Sequence, residues 1–352
     1  MSKGEMYPRF QAIIAALLFG ASAPLAKLLL GDIQPIMLAA LLYLGCGAGL
    51  LTLRLFQNFA TKPGSREAGL TRVDLPWLAG AIIAGGVAAP IILMLSLRNT
   101  PAATASLLLN FEGVATSLIA LLAFKEALGK RLWAAIALIT LASIILTWDA
   151  SGAWGLSLGA AGVLLACIFW GLDNNFTRNI SAKDPLSIVT VKGLVAGSVS
   201  LCISLATGGV FPHISAVLSA MVLGFFSYGI SIMLFILAMR SLGAARASGF
   251  FSSAPFIGAL ISVLLLREWP GISFLISLPI MVVGTVLILW EDHMHLHRHE
   301  MFDHEHRHSH DDGHHNHAHD IGEFEEHSHW HTHEELEHQH PHMPDIHHRH
   351  AH

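Results

Sequence analysis

From Phe10 to Trp290 the sequence is a succession of apolar runs separated by short polar stretches. Each run is about 20 residues long, the length a helix needs to cross ~30 Å of hydrocarbon. Inside a bilayer every backbone polar group has to be satisfied within the protein, and continuous runs of this length achieve that as helices. Hydrophobic residues make up 53% of the chain and charged residues only 13%, more apolar than a water-soluble core requires. The sequence therefore predicts an all-α integral membrane protein. Ten spans are expected, at approximately 10–30, 34–55, 75–97, 101–124, 131–148, 155–177, 186–207, 214–239, 244–266 and 271–290. Lys3, Arg9 and the small residues Ala21-Ser22-Ala23 have the look of a signal peptide, but Pro24 and the later runs favour an uncleaved first helix.

The chain also carries one long stretch twice. Leu95–Glu126, slid by 142 residues without a gap, lands on Leu237–Glu268 with ten of 32 positions identical. Arg98/Arg240 and Glu126/Glu268 are identical, and Lys125/Arg267 exchanges like charge. Upstream, FGASAPLAK (Phe19–Lys27) echoes WGLDNNFTR (Trp170–Arg178). Two homologous halves are expected, residues 1–150 and 151–290. The copies begin five spans apart, and an odd separation inverts the second relative to the first. Outside the tail, 13 Lys and Arg flank the side of the N-terminus and three, Lys27, Arg98 and Arg267, flank the other. The positive-inside rule then places both termini in the cytoplasm.

These stretches resemble the EamA-type members of the drug/metabolite transporter superfamily. The residues that carry the resemblance are FGASAPLAK, FEGVATSLIALLAFKE, FWGLDNNFTR and SSAPFIGALISVLLLRE, within roughly residues 10–290. The resemblance implies ten transmembrane helices as two inverted five-helix repeats around a central substrate cavity, in the inner (cytoplasmic) membrane of a bacterium. At the fourth span, where the family often has a Glu-Pro-like step, this chain has Glu112-Gly113; Pro255 holds the position of Gly113 in the second copy.

Ionisable residues well inside the spans are few: Glu112, Asp173 and Lys192. A charge at a helix centre costs about 2.5–3.5 kcal/mol on insertion scales, so such groups face a cavity or a partner. Asp173 and Lys192 lie at matching depth, as a structural pair locking the sixth and seventh spans or as substrate contacts. Asn110, Asn174, Asn175 and Arg178 add polar groups and complete the candidate substrate cavity. Asn174 and Arg178, four apart on one helix face, can meet an anionic or zwitterionic group, or serve ordinary interhelical hydrogen bonding. Cys46, Cys167 and Cys202 fall in apolar runs and form neither a disulfide framework nor a CxxC site. There is no nucleotide-binding loop, so the protein is not expected to be an enzyme, to need a cofactor or to bind nucleic acid.

Residues 291–352 are a separate object, with 15 acids, three Arg and 23 of the 24 His. Imidazole is the commonest side-chain metal ligand, and with a pKa near ~6.5 most rings are neutral and ready to bind at pH 7. The candidate ligands are His293, His295, His297, His299, His304, His306, His308, His310, His314, His315, His317, His319, His327, His329, His331 and His333. Zn²⁺, Ni²⁺, Co²⁺ or Cu²⁺ suits them. Lacking apolar periodicity, this His-rich tail is expected to be disordered.

Two readings of function follow. The first is a secondary-active carrier, an exporter of a small organic metabolite or drug-like molecule, with the tail accessory. The second is a divalent transition-metal exporter or metal-regulated carrier, with the tail as collector or sensor. The membrane part favours the first, because no span carries a His or a cluster of acids suited to a dehydrated dication. A non-transporting sensor or membrane tether leaves the repeat unexplained.

Overall fold

The computed structural model describes residues 3–60, 69–124, 129–148, 157–180, 183–242, 247, 250–267 and 271–289, and residues 296–299, 302–308, 327–333 and 336–339 of the tail. Among them, eight helices are long and apolar enough to cross a membrane: α1 (Tyr7–Leu29), α2 (Pro35–Phe56), α3 (Arg72–Arg98), α4 (Ala102–Ala123), α5 (Lys130–Thr147), α6 (Leu158–Arg178), α7 (Pro185–Ala206) and α8 (Ile214–Ala238). Two shorter apolar helices follow, α9 (Ala254–Leu266) and α10 (Ile272–Ile288). The expected ninth run, 244–266, lies partly outside the described residues; of those described before its turn, 247, 250 and 251 are helical. Helix α9 begins at Ala254, after a turn at Ser252-Ser253, because Pro255 has no N–H to give and is tolerated in a first helical turn.

Small residues let the helices meet backbone to backbone, the closest packing available in lipid. A Cβ added at Gly193 of α7 would lie 2.7 Å from Gly47 N of α2, and one at Gly197 would lie 2.6 Å from Leu44 N. Arg54 near the end of α2 meets Asp184 at the start of α7, so the two helices run antiparallel. Helices α5 and α10 also run antiparallel, with Ile139 against Gly284 and Ala142 O accepting from Ser277 Oγ. Helix α4 packs on α9. Of the remaining contacts, α1 lies on α8 and α9, while α6 lies on α3 and α4.

Helices α1, α3, α4 and α8 are interrupted along their length, α1 at Ala21, and α9 follows a turn. Helix α4 breaks at Leu109-Asn110 and α9 is preceded by the Ser252-Ser253 turn. Helices α3 and α8 widen into π-helical stretches at Ile82–Ala88 and Phe225–Ile230. In α3 the cause is local. Pro90, two residues after the widened stretch, cannot donate to the ladder and crowds the carbonyl four residues back.

Part of the tail lies within the described residues. Leu296–His299 pairs antiparallel with Leu336–Gln339, and Phe302–His308 with His327–His333. The physical reason is the alternation of His with other residues, a period of two that suits a pleated strand as readily as an extended coil. Here His304 stands opposite His331 and His306 opposite His329.

The glycine contacts make a direct prediction. Gly193→Ala should destabilise the α2–α7 crossing by about 1–3 kcal/mol, the usual range for overpacking. Gly271→Ala, at a position with nothing within 4 Å, should not. Thermal unfolding of the two variants in detergent checks this, and equal midpoints would remove close backbone packing as the reason for the glycines.

Candidate functional site

The interruptions converge on the polar residues of the spans. At the break in α4, Leu107 O accepts from both the backbone N of Asn110, at 3.2 Å, and Asn110 Nδ2, at 2.9 Å. Asn110 Oδ1 accepts from Thr285 of α10 at 3.3 Å. Two residues on, Glu112 is half-buried and Gly113 is exposed. Asn174 Nδ2 of α6 donates to Glu112 Oε1 at 2.9 Å and to Thr116 Oγ1 at 3.1 Å. The approach is possible because Gly171 lets α6 lie directly on α4, where an added Cβ would meet Thr116 N at 2.9 Å.

At the residues on either side of Asn174 in α6 the chemistry is different. Asp173 is buried and forms an ion pair with Lys192 of α7 through Oδ2, while its Oδ1 accepts from Thr177 at 3.0 Å. Asn175 is also buried, its Nδ2 donating to Thr116 O at 3.1 Å and Gly171 O at 2.8 Å. Asn175 therefore fastens α6 to α4, and Asp173 and Lys192 neutralise one another. Arg178 closes the C-terminal end of α6, partly buried.

Helix α3 joins through its π-helical stretch. A π turn shifts the hydrogen-bond register and leaves a carbonyl for other donors. Gly85 O accepts from Tyr43 Oη at 2.7 Å and from Trp170 Nε1 at 3.1 Å. Gly85 also abuts the Asp173 carboxylate, where any Cβ would collide. Beyond Tyr43 the aromatic rings continue: Tyr43 and Tyr228 lie 5.6 Å apart, Phe19 and Tyr228 6.0 Å, and Phe19 and Phe251 5.2 Å.

The structure thus brings together Asn110, Glu112 and Asn174 at the α4 break, and Asp173, Asn175 and Lys192 beside it. Among the described residues Glu112 has no cationic partner, in contrast to Asp173. Sequence reasoning did not single out Tyr43, Gly85, Thr116 or Trp170. Tyr43, one of three tyrosines in the chain, was a signal for a buried hydroxyl in need of an acceptor. Of the candidate tail ligands, His293, His295, His310, His314, His315, His317 and His319 lie outside the described residues. Among the described residues no group of three or more His, Cys, Asp or Glu is placed to hold a metal ion.

A helical membrane protein with interrupted spans and an unpaired mid-span carboxylate has the architecture of a transporter. The model of the EamA-like transporter family matches residues 8–148 and again 157–290, and the chain belongs to that family. It is a membrane transporter and not an enzyme. A protein of Methanothermobacter thermautotrophicus described as an uncharacterized transporter is 30% identical over 290 residues, covering 79% of this chain and 84% of that one. A crystal structure at 18% identity shares the fold, with a TM-score of 0.56 over 79% of this chain and 95% of the other.

The Asp173–Lys192 pair has a measurable signature. Removing one partner of a buried pair typically costs about 3–5 kcal/mol, whereas replacing both restores much of it. Lys192→Met should therefore lower the melting temperature strongly, and Lys192→Met with Asp173→Asn should recover most of the loss. An additive double variant would contradict a direct pair.

Proposed function

We propose that the protein is a secondary-active transporter of a small organic metabolite or drug-like molecule, working by alternating access between two inverted halves. The observation that carries this is the unpaired Glu112 carboxylate beside the break in α4, in a helix whose counterpart α9 starts after a turn at the equivalent depth. Discontinuous helices at the midplane are where carriers of this kind place substrate and coupling ions. Ten membrane crossings and inverted halves are supported by the packing. Exchanging α1 with α6, α2 with α7, α3 with α8, α4 with α9 and α5 with α10 maps the principal helix contacts onto one another. The exchanged partners α2 and α7 run antiparallel, as do α5 and α10. The π-helical stretch Phe225–Ile230 falls within residues 224–230, onto which the 142-residue offset carries Ile82–Ala88.

Both termini are assigned to the cytoplasm from the excess of Lys and Arg on that side. Export, and residence in the inner membrane of a bacterium, are carried over from the family resemblance. The tail is proposed as an accessory binder of Zn²⁺ or Ni²⁺, supported by the cross-strand His register. A susceptibility profile of a deletion strain tests the whole reading. Sensitivity to organic toxicants is expected, and sensitivity confined to metals would favour a metal exporter.

Glu112 is the residue to test with the compound so found. Glu112→Gln keeps volume and hydrogen bonding but removes titration. As a proton carrier Glu112 predicts that the variant exchanges substrate in proteoliposomes yet fails to accumulate it; as a cation contact it predicts that both fall. Unchanged uphill transport would remove Glu112 from the mechanism.

The tail makes a separate prediction. Truncation after Trp290 should leave insertion and transport intact while abolishing binding of several Zn²⁺ or Ni²⁺ ions. In the full chain that binding should be lost as the rings protonate below pH ~6. Calorimetry on both forms decides it, and a truncated protein that fails to insert would make the tail structural.

A further inference from the structure

The two ends of the bundle are built from equivalent parts, yet among the described residues only one of the two equivalent loops is tied by ion pairs. At the cytoplasmic end, Lys183 in the α6–α7 loop stands 4.0 Å from Asp74 Oδ2 at the start of α3. Asp74 is held by Thr71, whose backbone N and hydroxyl donate to the same oxygen at 2.7 and 2.8 Å. The next residue, Asp184, pairs with Arg54 of α2 at 3.4 Å. One loop is thus tied to α2 and α3 together.

At the outer end the equivalent residues are not tied. Asp32 follows Lys27 by five residues, as Lys183 follows Arg178, and so takes the place of Lys183 in the α1–α2 loop. The 142-residue offset puts His213 at the position of Thr71, Ser215 at Val73 and Ala216 at Asp74. His213 heads α8 without a side-chain cap, and Ala216 brings no charge. Between loop and helix lies a cavity of about 390 Å³ lined by Asp32, Phe211, Pro212, His213, Ser215 and Ala216. At about 30 Å³ per molecule this gap holds on the order of a dozen waters, far more than a packing defect. Asp32 and His213 are both exposed, and neither has an ion-pair partner among the described residues.

We propose that this cavity is the open counterpart of the cytoplasmic latch. The first arm of α8, Ile214–Gly224, closes onto the α1–α2 loop when the arm of α3, Leu75–Ala81, separates from Lys183. Asp32 and His213 join as carboxylate and imidazole in the closed outer corner. Each arm ends at a π-helical stretch, where the altered hydrogen-bond ladder provides a place to bend. Exposed ion pairs are individually weak, which suits contacts broken and remade in every cycle. The proposal rests on the inverted halves and on the cytoplasmic placement of the termini.

The test is thiol labelling in intact cells. Ser215→Cys is made with Cys202→Ser, which removes the exposed native thiol, and is treated with a membrane-impermeant maleimide from outside. With the latch intact, position 215 should label readily. Lys183→Gln, and independently Arg54→Gln, should slow that labelling about two- to fivefold, the range set by the loss of one exposed pair. Asp32→Cys combined with Ser215→Cys should form a disulfide faster in the Lys183→Gln background. Labelling unchanged in both latch variants, at normal expression and melting temperature, overturns the latch alone. Protection by a transported compound with no effect of Lys183→Gln makes the cavity a ligand vestibule and also overturns it. Labelling confined to everted vesicles overturns the topology beneath it.

Discussion

A backbone polar group left without a partner in hydrocarbon costs several kcal/mol, and that constraint governs where this protein can depart from regular helix. The α4 break, the α3 widening and the turn ahead of α9 are each met by a side-chain donor. The α4 break is answered by Asn110, which donates to Leu107 O, and the α3 widening by Tyr43 and Trp170, which both donate to Gly85 O. The end of α3 is answered by Lys27, whose Nζ donates to the carbonyls of Leu97, Arg98 and Thr100. Ahead of α9, Ser253 Oγ donates to Phe250 O at 2.6 Å. The irregular backbone gathers where helices from both parts of the chain can supply such donors. The polar site and the architecture are therefore consequences of one requirement.

The same requirement separates the charged residues into two kinds. Asp173 and Lys192 lie next to the widened α3 and cancel one another, fixing α6 against α7. Among the described residues the Glu112 carboxylate accepts from the Asn174 amide and has no cation paired to it, so it retains capacity for a proton or a cationic group. A carrier needs both: rigid contacts within each moving body, and one site whose charge state can change as access alternates.

The sequence announced the helices well because length and apolarity are what a bilayer demands, and every long helix lies within a few residues of its expected run. It announced Glu112, Asp173, Asn174 and Lys192 because a polar group in a span has few reasons to exist. The Asp173–Lys192 pairing was one of two alternatives and needed geometry to decide it. Gly85 was legible only as one small residue among many, since a glycine that frees a carbonyl and one that merely packs look alike in sequence. The π-helical stretches had a signal only in α3, where Pro90 is present; Ile232 occupies the matching position in α8.

The central claim is that the region around Glu112 opens to each side of the membrane in turn. Gly113 is exposed, and a side chain there would meet only Ile288, at 3.8 Å. The direct measurement is the labelling of Gly113→Cys, in a Cys202→Ser background, by an impermeant thiol reagent applied separately to right-side-out and everted vesicles. Alternating access predicts labelling from both faces, slowed on both by a transported compound. Labelling from neither face, with reaction only by a lipid-soluble reagent, would place Gly113 against lipid and contradict the account.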